Sequence, residues 1–437
     1  MRHSKDESQS HAIGQSLSDP HPTLTQKMRA IEEQQPLEPK DAAEWLETYG
    51  SPLFVFDTAL FRSRLRMIRE AARDAGLETG LYYSYKTNSI SEICRVAHEE
   101  GFGAEVVSAS ELDHALRLGV RGPDIIYNGP LKSERSIRMA LENGALVHAD
   151  SIEEIGVLHR IASEGTGSTR YGVRVQLTQG TAPWTKFGVT ANELVDFLRG
   201  SRPSSGRRLA GLHVHLGTNI TDPSVYSQAV QRLVEVARQI EDQLSAPLDY
   251  LDLGGGWAAS DAVPLDLLPG DWEVPAPLAY AKAISGALES AGRKDLRVLL
   301  EPGRVVVAPC MKMLFRVTSV KRHPHTMAIT DGNINSVPSA YYLRHPLTSL
   351  APTSRPLART DVFGPLCTQF DSLRLDTDLP DPQPGDILVL HEVGAYTITF
   401  SNQFAHPRPP VLAIDGDRAP RLIRRREADD AFWRDDL

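Results

Sequence analysis

Between Leu81 and Pro302 the chain alternates short apolar runs with amphipathic stretches, and this alternation restricts the possible folds more than any other feature. The apolar runs end near Lys86, Val107, Asn128, Ser151, Gln176, Gly217, Gly255 and Pro302. Helical periodicity fills the intervals, at Glu92–Glu99, Glu111–Leu118, Glu134–Glu142, Ile152–Ile161 and Ser227–Gln243. Eight strands alternating with helices, without hairpin signals, predict an α/β architecture built on a closed parallel (β/α)8 barrel. An open doubly wound sheet is the alternative. The turn Gly254-Gly255-Gly256 does not decide between them, because it lacks the GxGxxG spacing of a dinucleotide site.

The flanks read differently. Residues 1–35 are polar and charged, with little to bury, and are expected to form a flexible tail. Residues 36–57 carry a short helical pattern at Asp41–Tyr49 and a strand at Ser51–Asp57, and Leu60–Ala75 continues as a helix. The barrel is expected over 58–306 and a mostly β domain over 307–437, with the strand of segment 36–57 joining the latter. Val305–Ala308, Met313–Val320, Thr326–Thr330, Ile387–His391 and Pro410–Ile414 are the strand-like stretches there, separated by loops rich in Pro and Gly.

Composition narrows the function classes. A formal net charge of −9 argues against a nucleic-acid footprint, and the cluster Arg424-Arg425-Arg426 is followed at once by Glu427, Asp429 and Asp430. No apolar run approaches membrane-spanning length, and the N-terminus lacks the hydrophobic core of a signal peptide, so a cytoplasmic protein is expected. The 3 cysteines, Cys94, Cys310 and Cys367, lie far apart, with neither metal spacing nor a disulfide framework.

Active sites of such barrels lie at the C-terminal ends of the strands. Those ends carry Lys86, Ser108, Asn128, Asp150, His215, the three glycines and Glu301. A desolvated lysine at a strand end can lose its proton and form a Schiff base with a carbonyl, although a lysine snorkelling to solvent is the commoner case. Gly254–Gly256 offer unobstructed backbone N–H groups to an anion such as phosphate, or make an ordinary tight turn. Arg304, three residues after Glu301, is a candidate fixed cation, with Thr218 and Tyr396 as hydroxyl donors. Glu301 suits a structural ion pair or a cationic ring nitrogen, as in pyridoxal phosphate. His213 and His215 lie two apart; no third or fourth ligand accompanies them, so stacking of His215 on an aromatic cofactor is favoured over metal ligation.

Eight blocks in order carry a resemblance: Tyr85-Lys86-Thr87-Asn88, Glu105-Val106-Val107-Ser108, Lys186-Phe187-Gly188, His215-Leu216-Gly217-Thr218, Gly254–Gly256, Glu301-Pro302-Gly303-Arg304, Gly364-Pro365-Leu366-Cys367 and Gly394-Ala395-Tyr396. From about Ser51 to Pro410 the chain resembles the fold-type III pyridoxal-phosphate decarboxylases, the diaminopimelate/ornithine decarboxylase superfamily, which shares its barrel with alanine racemase. The resemblance implies pyridoxal 5'-phosphate on Lys86, within reach of Glu105, with His215 stacked on its ring and Glu301 at the pyridine nitrogen. Thr218, Gly255, Gly256, Arg304 and Tyr396 would hold the phosphate. It further implies a homodimer with shared active sites, in which Cys367 of the other subunit returns a proton to the substrate carbon and Lys186 pairs with Asp371 between subunits.

Two departures bear on the substrate. Basic-amino-acid decarboxylases of this superfamily follow the cysteine with an acidic residue, whereas this chain has Thr368. The segment Phe404-Ala405-His406-Pro407-Arg408-Pro409 adds a second distinguishing pattern. Together they resemble the branch acting on conjugated amino acids, citryl-linked or carrier-protein-linked, in siderophore or antibiotic biosynthesis, with Thr368, Tyr396 and Phe404 contacting substrate. Gln369 or Arg408 is then expected to address an amide, thioester or carboxylate. Diaminopimelate decarboxylase is the alternative, with Glu392 or Asp331 replacing the missing carboxylate. An amino-acid racemase and a non-catalytic regulatory homologue are remoter.

Overall fold

The computed structural model describes residues 37–164, 169–177, 185–200, 207–244, 247–259, 263–265, 267, 272–434 and 436; the tail expected over 1–35 lies outside them. Helix α1 (Pro39–Tyr49) precedes β1 (Leu53–Asp57) and α2 (Thr58–Asp74), whose N-cap Asp57 accepts from Leu60 N–H. The alternating region then follows: β2 (Thr79–Ser84), α3 (Ser91–Glu99), β3 (Gly103–Val106), α4 (Ala109–Arg117), β4 (Ile125–Tyr127), α5 (Glu134–Glu142), β5 (Leu146–Ala149) and α6 (Ile152–Glu164). It continues through β6 (Thr169–Arg174), α7 (Ala191–Gly200), β7 (Arg207–His213), α8 (Ser224–Leu244), β8 (Tyr250–Asp252), the two-residue β9 (Val263–Pro264), α9 (Pro277–Ser290) and β10 (Arg297–Leu300).

The strands close in the order β10-β2-β3-β4-β5-β6-β7-β8, every pair parallel, which decides for the barrel over the open sheet. Closure satisfies every strand edge and directs all the strand C-termini to one mouth. The helices between the barrel strands turn their apolar stripes to the barrel, as α8 does with the buried Tyr226, Val230, Leu233, Val234, Ala237 and Ile240.

The rest is mostly sheet: β11 (Met311–Lys321), β12 (Thr326–Thr330), β13 (Leu343–Arg344), β14 (Leu347–Ser349), β15 (Leu357–Phe363), β16 (Ser372–Pro380), β17 (Ile387–Leu390), β18 (Val411–Ile414) and β19 (Arg421–Arg424). A 9-stranded sheet runs β16-β15-β12-β11-β1-β18-β19, with β17 pairing β11 and β14 pairing β17. The early strand β1 lies antiparallel to β11 and parallel to β18, so the two ends of the chain share one sheet.

One stretch departs from its expected state. Val305–Val307 belongs to a short helix, α10 (Arg304–Val307), not a strand. Its three valines are buried, and the Arg64 guanidinium holds the Val305 carbonyl at 2.8 Å. A short buried apolar run has no periodicity to separate the two states, so packing overrides the valines' preference for strands.

Candidate active site

Lys86, Glu105, His215, Thr218, Glu301, Arg304 and Tyr396 line one cavity of about 480 Å³ at the barrel mouth, together with Asn128, Arg174, Lys186, Phe187, His213, Tyr342 and Phe400. A larger hollow of about 590 Å³ lies between α1 and the β sheet, and none of the strand-end residues reaches it.

Lys86 sits in the tight turn Tyr85–Thr87 that leaves β2. Its Nζ donates to Ser84 Oγ at 2.8 Å and to Glu105, whose Oε2 also accepts from Ser84 at 2.6 Å. Burial pulls the ammonium down, but Glu105, Glu301 and Tyr396 pull harder the other way and hold it above the ordinary lysine range. The expectation of a neutral, desolvated amine is therefore corrected for the cofactor-free chain. A carboxylate in contact outweighs desolvation.

From Glu105 the hydrogen bonds run inward. Asn128 Nδ2 donates to Glu105 Oε1 at 3.1 Å and to Glu301 Oε1 at 2.6 Å. Asn128 Oδ1 faces His148 Nδ1 at 2.8 Å, and His148 Nε2 faces the Tyr250 hydroxyl at 2.9 Å. Burial, reinforced by Asp252 and Glu105, raises the Glu301 carboxyl well above its usual range. Burial, with Lys86 and Arg174 adding to it, lowers His215 to about 3, so its imidazole is neutral near pH 7. His213 is buried against the His148 ring at 5.0 Å between centroids, and neither of its nitrogens has a hydrogen-bond partner.

His148, Asp252 and Glu301 form the one candidate metal cluster among the described residues, their ligand atoms all within 4.8 Å. The His213–His215 pair is not part of it. Both nitrogens of His148 are already engaged by Asn128 and Tyr250, which leaves the imidazole no lone pair for a cation.

Gly255 and Gly256 do not line the main cavity; with Gly254, Gly303 and Arg304 they wall a small crevice beside it, and Arg304 faces both. A Cβ on Gly256, at φ +98°, would lie 2.6 Å from the Gly217 carbonyl, and one on Gly255 would lie 2.4 Å from that of Glu301. Only glycine fits either place. Beside them the buried Nε of Arg304 has no hydrogen-bond partner, while its guanidinium stacks over the Tyr396 ring at 4.9 Å. An anion held by Arg304, an aromatic ring against neutral His215 and a carbonyl carbon at Lys86 would together occupy this site, so its residues suit pyridoxal phosphate.

Other expected residues lie elsewhere. Cys367 is exposed and Thr368 half-buried; neither lines the cavity of its own chain, and Thr368 Oγ1 accepts from Phe370 N–H at 3.3 Å. Phe404 is 50% exposed and also outside the cavity. Arg408 is committed to Glu427 at 2.8 Å and to the Ser401 carbonyl at 2.9 Å, which corrects its assignment to substrate. Asp331 accepts from Arg316 N–H, and neither it nor Glu392 lines the cavity. Asp371 is turned inward: its carboxylate accepts from Ile334 N–H at 2.8 Å and Leu366 N–H at 2.7 Å. It organises the Cys367 loop from within, with 1% of its surface exposed in the single chain.

Sequence reasoning missed Arg174, His148 and Asp252. Arg174 ends β6 inside the cavity, 3.5 Å from Asp150 and stacked on Phe187 at 4.3 Å. Gln176, at the expected strand end, instead donates outward to the Thr185 carbonyl. Alternation along Tyr171-Gly172-Val173-Arg174 was the available signal.

Comparison with known proteins points to the same cofactor. Residues 60–308 match the family model described as pyridoxal-dependent decarboxylase, pyridoxal binding domain. Diaminopimelate decarboxylase of Methanothermobacter thermautotrophicus is 28% identical over 407 residues, 89% of this chain and 92% of that protein. That of Bacillus subtilis is 28% identical over 414 residues, 89% and 92% respectively. Among solved structures, diaminopimelate decarboxylase from Helicobacter pylori complexed with L-lysine superposes with a TM-score of 0.79 at 25% identity, covering 90% of this chain and 98% of that one. Lysine/ornithine decarboxylase from Vibrio vulnificus shares the fold, with a TM-score of 0.74 at 23% identity over 86% of this chain and 99% of that one.

Proposed function

The chain belongs to the pyridoxal-dependent decarboxylase family, and from that premise we propose that this pyridoxal-phosphate enzyme decarboxylates a free diamino dicarboxylic acid of the diaminopimelate type. This reverses the order expected from the residues after Cys367, because the relatives spanning 89% of the chain are diaminopimelate decarboxylases. The supporting observation within the site is Lys186, which lines the same cavity as Lys86 and offers a cation to a distal carboxylate.

Pyridoxal phosphate, when bound, supplies an electron sink for the pair left when carbon dioxide departs. Lys86, oriented by Glu105, would hold the cofactor through its aldehyde. Glu301 would face the ring nitrogen, and neutral His215 would pack on the ring face. Arg304, Thr218, Tyr396 and the amides of Gly255 and Gly256 would take the phosphate. Phe400 and Tyr342 narrow the mouth and exclude water. A subunit partner supplies Cys367, whose thiol returns the proton to the substrate carbon, and Thr368 and Phe404 reach the substrate from that side.

A second reading is favoured by Thr368. A hydroxyl there leaves a distal ammonium without a carboxylate, and a charge-assisted hydrogen bond of this kind contributes about 1.5–3 kcal/mol. A conjugated amino acid, citryl- or carrier-protein-linked, carries no such ammonium. Specificity constants on free meso-diaminopimelate and on the conjugated substrates separate the readings. Efficient turnover of the free acid is expected; turnover confined to the conjugates would replace the first reading by the second.

A further inference from the structure

Behind Glu301 lies a second buried carboxyl, Asp252, that the proposed chemistry leaves unused. It ends β8 and is fully buried. Its Oδ1 accepts from Gly254 N–H at 2.9 Å, the first amide of the glycine turn. Its Oδ2 has no hydrogen-bond partner, and the Glu301 carboxyl and His148 stand within 4.8 Å.

Among the described residues no cation stands between the two acids. Lys86 is bound to Glu105, and Arg174 is paired with Asp150. Burial keeps His148 neutral; its Nδ1, 3.8 Å from Asp252 Oδ2, then gives its proton to Asn128 Oδ1, which leaves Nε2 to accept from Tyr250. His213, 3.9 Å from Glu301, is held neutral by burial. Two adjacent buried carboxyls without a counter-ion keep one proton between them. Without the cofactor, burial and the neighbouring Asp252 raise Glu301; a cationic ring nitrogen facing Glu301 would favour its anion, as does the bond that Oε1 accepts from Asn128 at 2.6 Å, and Asp252 Oδ2, which accepts from no other donor, is then the site open to the proton.

We infer that Asp252 is a positioning residue: its protonated carboxyl donates to Glu301 and keeps Glu301 anionic toward the cofactor ring nitrogen. The inference rests on Glu301 facing that nitrogen, as proposed above. It also gives Asp252 a second task, because the same side chain anchors the Gly254 turn beside Arg304 through Oδ1.

Infrared spectra of the holoenzyme and of the cofactor-free protein test it. In the holoenzyme a protonated-acid carbonyl stretch is expected at about pH 7, shifted by carbon-13 labelling of aspartate and absent from Asp252→Asn, whereas in the cofactor-free protein the proton is shared with Glu301. The amide keeps both contacts, accepting from Gly254 and donating to Glu301, so kcat/KM should stay within about threefold of wild type. Asp252→Ala loses the donor and should fall about 10- to 100-fold. A band that ignores aspartate labelling in the wild-type holoenzyme, or no such band, would overturn the inference whether or not the variants fold. So would Asp252→Asn losing as much activity as Asp252→Ala. Glu301→Gln with an unchanged cofactor spectrum would overturn the ring-facing half, while the carboxyl band alone decides where the proton sits.

Discussion

The hydroxyl of Thr399 donates to the backbone carbonyl of Lys86 at 2.9 Å, joining residues 313 apart in sequence. Two neighbouring bonds repeat the link: Tyr396 N–H to the Thr87 carbonyl at 2.8 Å, and Asn88 Nδ2 to the Gly394 carbonyl at 3.0 Å. The lysine turn is therefore built by the barrel and fastened by the segment after β17. Tyr396 adopts φ 59° to make this contact, a left-handed conformation that a bulky side chain accepts only where its surroundings hold it.

Thr399→Val should loosen that turn without emptying the cavity. One partly buried hydrogen bond contributes about 1 kcal/mol, so cofactor affinity should weaken about fivefold. Titrating the cofactor-free protein with pyridoxal phosphate, followed by absorbance, measures this. Unchanged affinity would mean that the Tyr396 and Asn88 bonds suffice.

The barrel was legible because its alternation repeats eight times, and each strand end was placed within a few residues. The polar set at the mouth was legible for the same reason, since a strand end tells where its side chain arrives. Partners were not. Nothing in Cys367-Thr368-Gln369-Phe370-Asp371 says that Asp371 turns inward to two backbone amides, because that depends on the approach of Ile334 from a distant loop. Arg408 was lost to Glu427 in the same way. Asp252 and His148 were hidden inside strand runs whose other residues are apolar core, and only barrel closure brings them under Glu301.

Lys86→Ala should abolish the visible absorption band of the bound cofactor and also destabilise the cofactor-free protein. Glu105 is fully buried and would lose its ammonium partner; breaking such a pair costs roughly 3–5 kcal/mol. The double variant Lys86→Ala/Glu105→Gln removes both charges and should recover much of that stability, and with wild type and the two single variants it closes a cycle of four proteins. Denaturant unfolding of the four cofactor-free proteins gives the coupling. Additive effects would show that Lys86 and Glu105 do not stabilise one another.

Acidification should destabilise the fold through its buried histidines. Burial lowers His148, His215 and His391 to about 3 and His345 to about 4, and holds His213 well below its ordinary value. Unfolded, these groups take up protons near pH 6.5; folded, they do not, so stability is complete above that pH and is lost as pH falls toward about 3. Burial raises Glu111 and Asp252 to about 7, and Glu301 and Asp371 in the same direction, which acts in the opposite sense: the cost of these four acids grows as pH rises from about 4. The histidines outnumber the acids, so the cofactor-free protein should lose stability from about pH 6.5 downward. His391→Asn should flatten that slope. Its ring sits beside Thr348, away from the cavity, so the cofactor spectrum should not change.

Two inactive chains should rescue one another. Lys86 lies inside its own cavity, whereas Cys367 is exposed on the loop that Asp371 organises, outside that cavity. Exposed aromatic side chains occur along the same stretches, with Phe370 75%, Phe400 58% and Phe404 50% exposed, and Phe400 lines the mouth itself. A cover made by a second copy would bury these rings and bring its thiol to the first copy's lysine. Mixing Lys86→Ala with Cys367→Ala then yields hybrids in which one of the two sites has both residues intact. After complete subunit exchange, half of the dimers are hybrids and each keeps one working site, so activity should approach about a quarter of wild type. The Cys367→Ala homodimer should still show the cofactor band, because its lysine is intact. No recovery after subunit exchange, verified by mass, would place both residues of each working site on one chain and exclude the shared arrangement.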